Sequence, residues 1–338
     1  MTDEVILQVK DLRTYFYTDA GVVKAVDGLT FDLHKGETLG LVGESGSGKS
    51  VTNLSVIKLI QTPPGKLEGG EVLFNGEDLL KMSDARLREI RGDRIAMIFQ
   101  DPMSSLNPYL RISTQMIETI CLHQGLNKKA AKEKAIEMLK LTGIPAAEKR
   151  IDGYPHQFSG GMRQRVMIAM GLSCNPDILI ADEPTSALDV TIQAQILDLM
   201  QDLTHRLGTA VILITHSLGV VAGVCDTIVV MYAGRIVERG TTEDIFYDTK
   251  HPYTQGLIKS VPRLDRDDES RLFSIEGQPP NVVDLPDCCP FYPRCHKALP
   301  VCKNRYPPVV DFSGTHHAAC WLYAQKDGGT LTSEDTTK

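Results

Sequence analysis

An α/β fold built around a phosphate-binding loop is what the sequence predicts, and three observations predict it. Gly43-Glu44-Ser45-Gly46-Ser47-Gly48-Lys49-Ser50 follows the pattern GxxxxGK[ST]. It lies between a short apolar run, Thr38 to Val42, and a stretch with helix-like apolar spacing at Val51, Leu54, Ile57, Leu59 and Ile60. Two further apolar runs, Ile178 to Ala181 and Ala210 to Ile214, end in polar groups, Asp182-Glu183 and Thr215-His216, as buried parallel strands do where they meet a ligand.

Strand, glycine-rich loop, helix is the context in which the loop pattern carries chemistry. Gly43, Ser45, Gly46, Ser47 and Gly48 would form the cradle. Glycines let successive backbone N–H groups face an anion, and the helix N-terminus adds the positive end of its dipole. Lys49 would reach the β- and γ-phosphates of a nucleotide and Ser50 would hold Mg²⁺. The plain alternative, a serine-glycine turn ahead of a helix, leaves the flanking strand and helix patterns without a reason.

Composition narrows the class. At 338 residues, with 42% hydrophobic and 23% charged content, the chain can bury a full core and hold more than one domain. A net charge of −7 argues against a protein that coats nucleic acid. Val220 to Ala233 is too short for a membrane span and is interrupted by Asp226. The acidic opening Met1-Thr2-Asp3-Glu4 lacks the features of a signal peptide, so the expectation is a cytosolic protein.

Taken in order, residues 5–33 read as short strands, Val5 to Val9, Val22 to Val26 and Leu29 to Leu33, with Asp19-Ala20-Gly21 as the turn of an antiparallel hairpin. Between them Tyr15-Phe16-Tyr17 offers a ring that could stack on a purine; Phe16 is the choice, with Tyr15 and Tyr17 as alternatives and plain packing as the competing role. Gly69 to Gly76 reads as a strand closed by an Asn-Gly turn, and Asp84 to Arg91 as a charged helix. Ile95 to Phe99 is a buried strand ending at Gln100, whose polar side chain suits a role at Mg²⁺ or water. From Arg111 to Arg150 the pattern is mostly helical, with a solvated face over Lys128 to Lys134. Ser159-Gly160-Gly161 opens another helix and makes a second anion-binding geometry. One nucleotide rarely needs two cradles, unless the second serves a nucleotide held by another subunit. Asp182 is placed to hold Mg²⁺ through water, Glu183 to polarise the attacking water, and His216 to contact a γ-phosphate. Ser186-Ala187-Leu188-Asp189 leads into a helix over Thr191 to Arg206, and Ile228 to Tyr232 with Arg235 to Glu238 forms a last hairpin.

The set of motifs resembles the nucleotide-binding subunit of ABC transporters. It matches the Walker A motif at 43–50, the Q-loop at Gln100, the signature at 158–162, Walker B at 178–183, the D-loop at 186–189 and the switch histidine at His216, in the family's order. The signature reads Phe158-Ser159-Gly160-Gly161-Met162 where the family usually has Leu-Ser-Gly-Gly-Gln, and it keeps the phosphate-facing Ser159, Gly160 and Gly161. The resemblance implies a P-loop NTPase of ABC type: an antiparallel β subdomain, a mainly parallel core sheet and a helical signature subdomain over about 101–175, together spanning 1–240, then a small cysteine-rich extension over 241–338. It implies Asp189 at the nucleotide interface. It also implies a head-to-tail pair of ATPase subunits, each ATP lying between one subunit's P-loop and the other's signature helix, coupled to two transmembrane permease subunits through the loop after Gln100. Phe99 to Pro108 and His251-Pro252-Tyr253-Thr254 resemble the dipeptide/oligopeptide/nickel importer branch, and Val51-Thr52 resembles the "D" ATPase that pairs with a distinct "F" paralogue. Such a subunit would work at the cytoplasmic face of the inner membrane, served by an extracytoplasmic solute-binding protein, with no nucleic-acid partner.

Five of the 8 cysteines, Cys288, Cys289, Cys295, Cys302 and Cys320, crowd the C-terminal region. In a reducing compartment that points to metal or cofactor ligation before disulfides. The spacing Cys289-x₅-Cys295-x₆-Cys302-x₁₇-Cys320 lacks the CxxC knuckle of structural zinc sites. Four thiolates can hold Zn²⁺ or a [4Fe–4S] cluster, and the resemblance to the peptide-importer branch implies the cluster on those four residues. Cys288 is a spare or a competing ligand, and His316 and His317 rank below the thiols. The rival function is a non-transport ABC ATPase on ribosomes or DNA, but such proteins carry tandem domains or long coiled-coil insertions. A regulatory module without ATPase activity conflicts with intact Lys49, Asp182, Glu183 and His216.

Overall fold

Parallel pairing of short apolar strands and antiparallel pairing of long amphipathic ones divide the structure into its layers. The computed structural model describes residues 4–101, 105–186, 188–261 and 274–324. Residues 102–104 of the stretch after Gln100, and Ala187 of the 186–189 motif, lie outside the described residues. The chain forms two compact units interleaved in sequence, Met1–Leu7, Leu33–Thr38 and Leu73–Thr215 in the first, Gln8–Asp32, Leu39–Val72 and His216–Lys338 in the second.

In the first unit, β6 (Ile95–Ile98), β7 (Ile178–Asp182) and β8 (Ala210–Thr215) run parallel, with Ile95 opposite Ile178 and Ile178 opposite Ala210. Every residue of β7 and β8 is buried, which is why both read as continuous apolar runs instead of alternating ones. Among the described residues this unit holds the helices α2 (Asp84–Ile90), α3 (Ile112–Gln124), α4 (Lys128–Leu141), α5 (Ala147–Arg150), α6 (Gly160–Leu172) and α7 (Val190–Leu207). Four of them start on side-chain caps that satisfy first-turn N–H groups, from Ser83, Asn127, Ser159 and Asp189. The Asn75-Gly76 turn joins Phe74 to Glu77 as expected, both residues in the left-handed region at φ 48 and 84.

The second unit carries most of β1 (Val5–Thr18), β2 (Gly21–His34) and β4 (Gly65–Phe74), in the order β2-β1-β4. Instead of several short strands, residues 5–34 form two strands of 14 residues each. The apparent breaks at Asp11 and Gly28 are kinks, with φ 49 and 80, and an added Cβ on Gly28 would stand 3.3 Å from the Asp11 carboxylate. The same unit holds β3 (Thr38–Val42, bar its first residue), β9 (Thr227–Tyr232) and β10 (Arg235–Thr241), β3 parallel to β9 and β9 antiparallel to β10. Two short strands of the C-terminal region, β11 (Val309–Asp311) and β12 (His317–Ala319), extend this sheet by pairing β12 with β10. The helix after the P-loop, α1 (Lys49–Val56), ends four residues before the apolar spacing does, with Lys58 in the left-handed region at φ 53. Two short helices, α8 (Leu218–Ala222) and α9 (Thr242–Tyr247), flank β9 and β10 in sequence. Among the described residues no helix is long and apolar enough to cross a membrane.

A buried polar and aromatic knot fastens the C-terminal region inside this unit. Helix α10 (Pro252–Lys259) starts on His251, whose Nδ1 accepts the Tyr253 N–H at 3.1 Å. The fully buried Glu238 carboxylate accepts from the His251 N–H at 3.0 Å and the Lys250 N–H at 2.6 Å, and pairs with His316 Nε2 at 3.0 Å. Tyr232, Tyr253 and Phe291 pack with centroids 4.6–5.4 Å apart. Burial pushes the His251 imidazole down to about 4. The unfolded chain therefore binds this proton near pH 6.5 while the folded chain does not. Urea denaturation should show stability falling as pH drops from about 6.5 to about 4, with a shallower fall in His251→Asn.

Candidate functional site

The P-loop is shaped by two carbonyls that stand where side chains would be. Gly48 adopts φ +103, and a Cβ there would lie 2.2 Å from Ala25 O; at Gly43, φ +155, it would lie 2.3 Å from Met231 O. Only glycine allows this approach. The loop closes through Ser47 N–H to Glu44 O at 3.2 Å and is pinned by Gly234 N–H to Ser47 O at 2.9 Å. Lys49 is 5% exposed, and its ammonium donates to Gly43 O at 2.8 Å, Glu44 O at 2.9 Å and Ser47 Oγ at 3.4 Å. These carbonyl and hydroxyl oxygens hold the ammonium over the loop. Ser45, Gly46 and Ser50 are exposed on the loop and at the helix start, whereas Ser47 is buried. Behind them, Thr52 donates to Gly48 O at 2.9 Å and Ser55 shares a 2.7 Å hydrogen bond with Thr14 of β1.

In the first unit, β7 delivers Asp182, 6% exposed, and then Glu183. Glu183 has φ 45, a left-handed conformation uncommon for a glutamate and held by its N–H to Ile214 O at 3.0 Å. Its carbonyl accepts from Ser186 Oγ at 3.2 Å. Its carboxylate accepts from Gln100 Nε2 at 2.9 Å, so the structure brings together these two residues, which sequence reasoning had placed at separate strand ends. Gln100 keeps its carbonyl oxygen for another donor or a cation.

Ser159 caps α6, its Oγ accepting from Met162 N–H at 3.4 Å, and Ser159 and Gly160 are exposed while Phe158 is buried beneath them. Gly161 faces α7: an added Cβ would meet Ile192 Cγ2 at 3.2 Å. Asp189 caps α7 through Ile192 N–H at 3.0 Å, so one carboxylate already has a structural task. In the second unit His216 is exposed directly after Thr215. Phe16 is half-buried, continuing the inward face of Leu12 and Thr14, with its ring edge 2.9 Å from where a Cβ on Gly65 would be. Tyr15 donates to Asp27 at 2.7 Å and Tyr17 to Glu68 at 2.5 Å, which leaves Phe16 as the ring with no polar engagement of its own.

Cys289, Cys302 and Cys320 are buried and Cys295 is partly so; Cys289 and Cys302 are tied by a 3.0 Å backbone hydrogen bond. Burial pushes the Cys289 and Cys320 thiols up to about 12, and the neighbouring cysteines push the same way. Among the described residues, no three His, Cys, Asp or Glu side chains are arranged to hold a metal ion.

Two contacts had no signal in the sequence. Arg294 donates to both Glu44 oxygens, at 2.6 and 3.0 Å, and the Glu44 N–H donates to Tyr253 Oη at 2.8 Å. Neither Arg294 nor Tyr253 belongs to a nucleotide motif; Tyr253 lies in the branch-like run His251 to Thr254, and Arg294 beside Cys295.

The family described as "ABC transporter" matches residues 26–186, and "Oligopeptide/dipeptide transporter, C-terminal region" matches residues 237–302. The oligopeptide transport ATP-binding protein OppD of Bacillus subtilis is 52% identical, covering 94% of this chain and 88% of that protein. The dipeptide transport ATP-binding protein DppD of the same organism is 50% identical over 98% of this chain and 99% of its own length. The chain belongs to the ABC transporter ATP-binding subunits of the oligopeptide/dipeptide type. Among solved structures, a dimeric post-hydrolysis state of the ATP-binding cassette MJ0796 bound to ADP and Pi matches with TM-score 0.62 and 27% identity, covering 70% of this chain and 98% of that one. The CbiO1 subunit of a Clostridium perfringens transporter complex matches with TM-score 0.61 and 29% identity, over 73% and 93% of the two chains. As a member of this family the chain is an ATPase of the ABC cassette fold.

Gly48→Ala combines a left-handed backbone with a collision at Ala25 O. It should cost about 1–3 kcal/mol of stability, measured by urea titration, on strain alone.

Proposed function

We propose that this ATPase powers the import of di- or oligopeptides, as one of two ATP-binding subunits working with two permease subunits and, through them, an extracytoplasmic solute-binding protein. The observation that carries the reading is the loop 43–50, with Lys49 suspended over it, in a chain about half identical to two peptide-transport ATP-binding proteins. Residues 1–240 are assigned as the nucleotide-binding region, with its helical part over about 101–175, and 241–338 as the extension; the start of the C-terminal match at 237 supports that division. The place of work is the cytoplasmic face of the membrane, and the partner ATPase is a distinct paralogue.

Roles follow from chemistry. The loop N–H groups of Gly43, Ser45, Gly46, Ser47 and Gly48 bind phosphate, Lys49 exchanges its carbonyl partners for phosphate oxygens, and Phe16 stacks on the base. Mg²⁺, when bound, neutralises the β,γ-oxygens; Ser50, Gln100 and Asp182 have the oxygen donors it takes. Glu183 accepts the proton of the attacking water, oriented by Gln100, and His216 contacts the γ-phosphate. Ser159, Gly160, Gly161 and Asp189 address a nucleotide held by the second subunit, which accounts for an exposed anion cradle on α6.

Cys289, Cys295, Cys302 and Cys320 are assigned to a [4Fe–4S] cluster. Four thiols in one largely buried region suit a group that stabilises thiolates. Zn²⁺ is the alternative occupant of the same thiols.

Glu183→Gln should bind ATP as the wild type does while turnover falls by about a hundredfold or more; brisk hydrolysis would remove Glu183 from its role. Co-fractionation with permeases, set against co-sedimentation with ribosomes or DNA, separates transport from the rival reading. Iron, sulfide and zinc assayed per chain after anaerobic purification should give about four irons and four sulfides. Stoichiometric zinc, or no metal in a folded protein, would refute the cluster.

A further inference from the structure

Glu44 is gripped at every polar group it owns. Its carbonyl accepts from Lys49 Nζ at 2.9 Å and Ser47 N–H at 3.2 Å, its N–H donates to Tyr253 Oη at 2.8 Å, and its carboxylate takes a two-pronged contact from Arg294. Two of these anchors, Tyr253 and Arg294, come from the C-terminal region that matches over 237–302. Arg294 is itself a hub. Its side chain is 5% exposed, Nε donates to Glu276 O at 3.0 Å, one terminal nitrogen to Ile275 O at 3.3 Å, and the other to Tyr232 Oη at 3.3 Å. A buried guanidinium with its fork on one carboxylate fixes orientation as well as distance. Tyr253 is fully buried between Tyr232 and Phe291, so its hydroxyl is a rigid peg and not a surface contact.

These contacts gain a purpose if 43–50 is the ATP phosphate site, and the role assigned to them rests on that reading. When phosphate draws Lys49 away, Glu44 loses one of the two donors on its carbonyl and keeps the Ser47 N–H. Tyr253 and Arg294 then remain to keep the loop's N–H groups converged. We propose that Arg294 and Tyr253 are positioning residues for nucleotide binding, through which the C-terminal region sets the affinity of the P-loop. Coupling of this kind is reciprocal: a nucleotide in the loop must tighten the segment around Arg294 as much as that segment tightens the nucleotide.

The test is the affinity of the purified full-length chain for a fluorescent ATP analogue with Mg²⁺. Arg294→Ala and Glu44→Ala should each weaken binding by about tenfold, the scale of one charge-assisted hydrogen bond. The double variant should bind no worse than either single, because both remove the same contact. Arg294→Lys, which keeps the charge and loses the fork, should recover part of the loss. Tyr253→Phe removes one oxygen from an intact ring cluster, so it should fold normally and still bind several-fold more weakly. In hydrogen exchange, the analogue should slow amides over 288–302 in the wild type, and Arg294→Ala should lose that slowing; a purely structural arginine would not confer nucleotide dependence. Affinities within twofold of wild type for Arg294→Ala and Tyr253→Phe, or a double variant whose loss is the product of the singles, would overturn the proposal. Lys49→Ala separates the two levels: if it binds as the wild type does, the nucleotide reading of the loop fails; if it loses binding while the Arg294 and Tyr253 variants do not, only the positioning role fails.

Discussion

A loop that leaves several backbone N–H groups for an anion keeps few hydrogen bonds of its own to hold its shape, and most of what surrounds residues 43–50 answers this constraint. The loop is wedged between the carbonyls of Ala25 and Met231, which approach so closely that residues 43 and 48 can carry no Cβ. Ala25 and Met231 belong to β2 and β9, so both sheets of the second unit are used to press the loop from behind. Lys49 lies across the loop with its ammonium on the carbonyls of Gly43 and Glu44.

The other half of the chemistry relies on a different device. Glu183 directly follows a strand with no exposed residue, in a backbone conformation that a glutamate seldom adopts. The strain turns the side chain out of the strand's alternation, and Gln100 meets it there. Gln100 and Glu183 reach one another because β6 and β7 are neighbours in parallel register, Ile98 opposite Ala181. A sheet of this kind aligns strand ends that are far apart in sequence, which is how a glutamine and a glutamate 83 residues apart can share one hydrogen bond.

Much of this was legible in the sequence, for a physical reason. The buried strands β7 and β8 are uniformly apolar, and the loops after them are set by glycine, proline and charge at fixed offsets, so the fold class and the candidate site residues can be read together. The Asn75-Gly76 turn and the caps of α6 and α7 likewise depend on local chemistry alone. What depends on long-range packing was not visible. The strands β1 and β2 read as fragments because their apolar runs are short and separated, yet each continues through a residue with positive φ, Asp11 in one and Gly28 in the other. The end of α1 at Val56 lies inside a stretch whose apolar spacing continues to Ile60. Arg294 and Tyr253 lie 250 and 209 residues from Glu44, and no periodicity encodes such a pairing.

The two small strands of the C-terminal region have a consequence for the protein's behaviour in a crowded cell. Strand β10 is seven residues long and is paired on one side by β9; β12 takes its other side through Glu238 and Arg239, and β11 covers β12 in turn. Among the described residues the sheet therefore finishes on a strand of three residues, too short to template the addition of a foreign chain. Cutting the chain after residue 241 would leave β10 with a bare row of amide and carbonyl groups, a sticky margin on which copies could stack. A chain shortened to that point would present this margin, and self-association is the behaviour to expect of it.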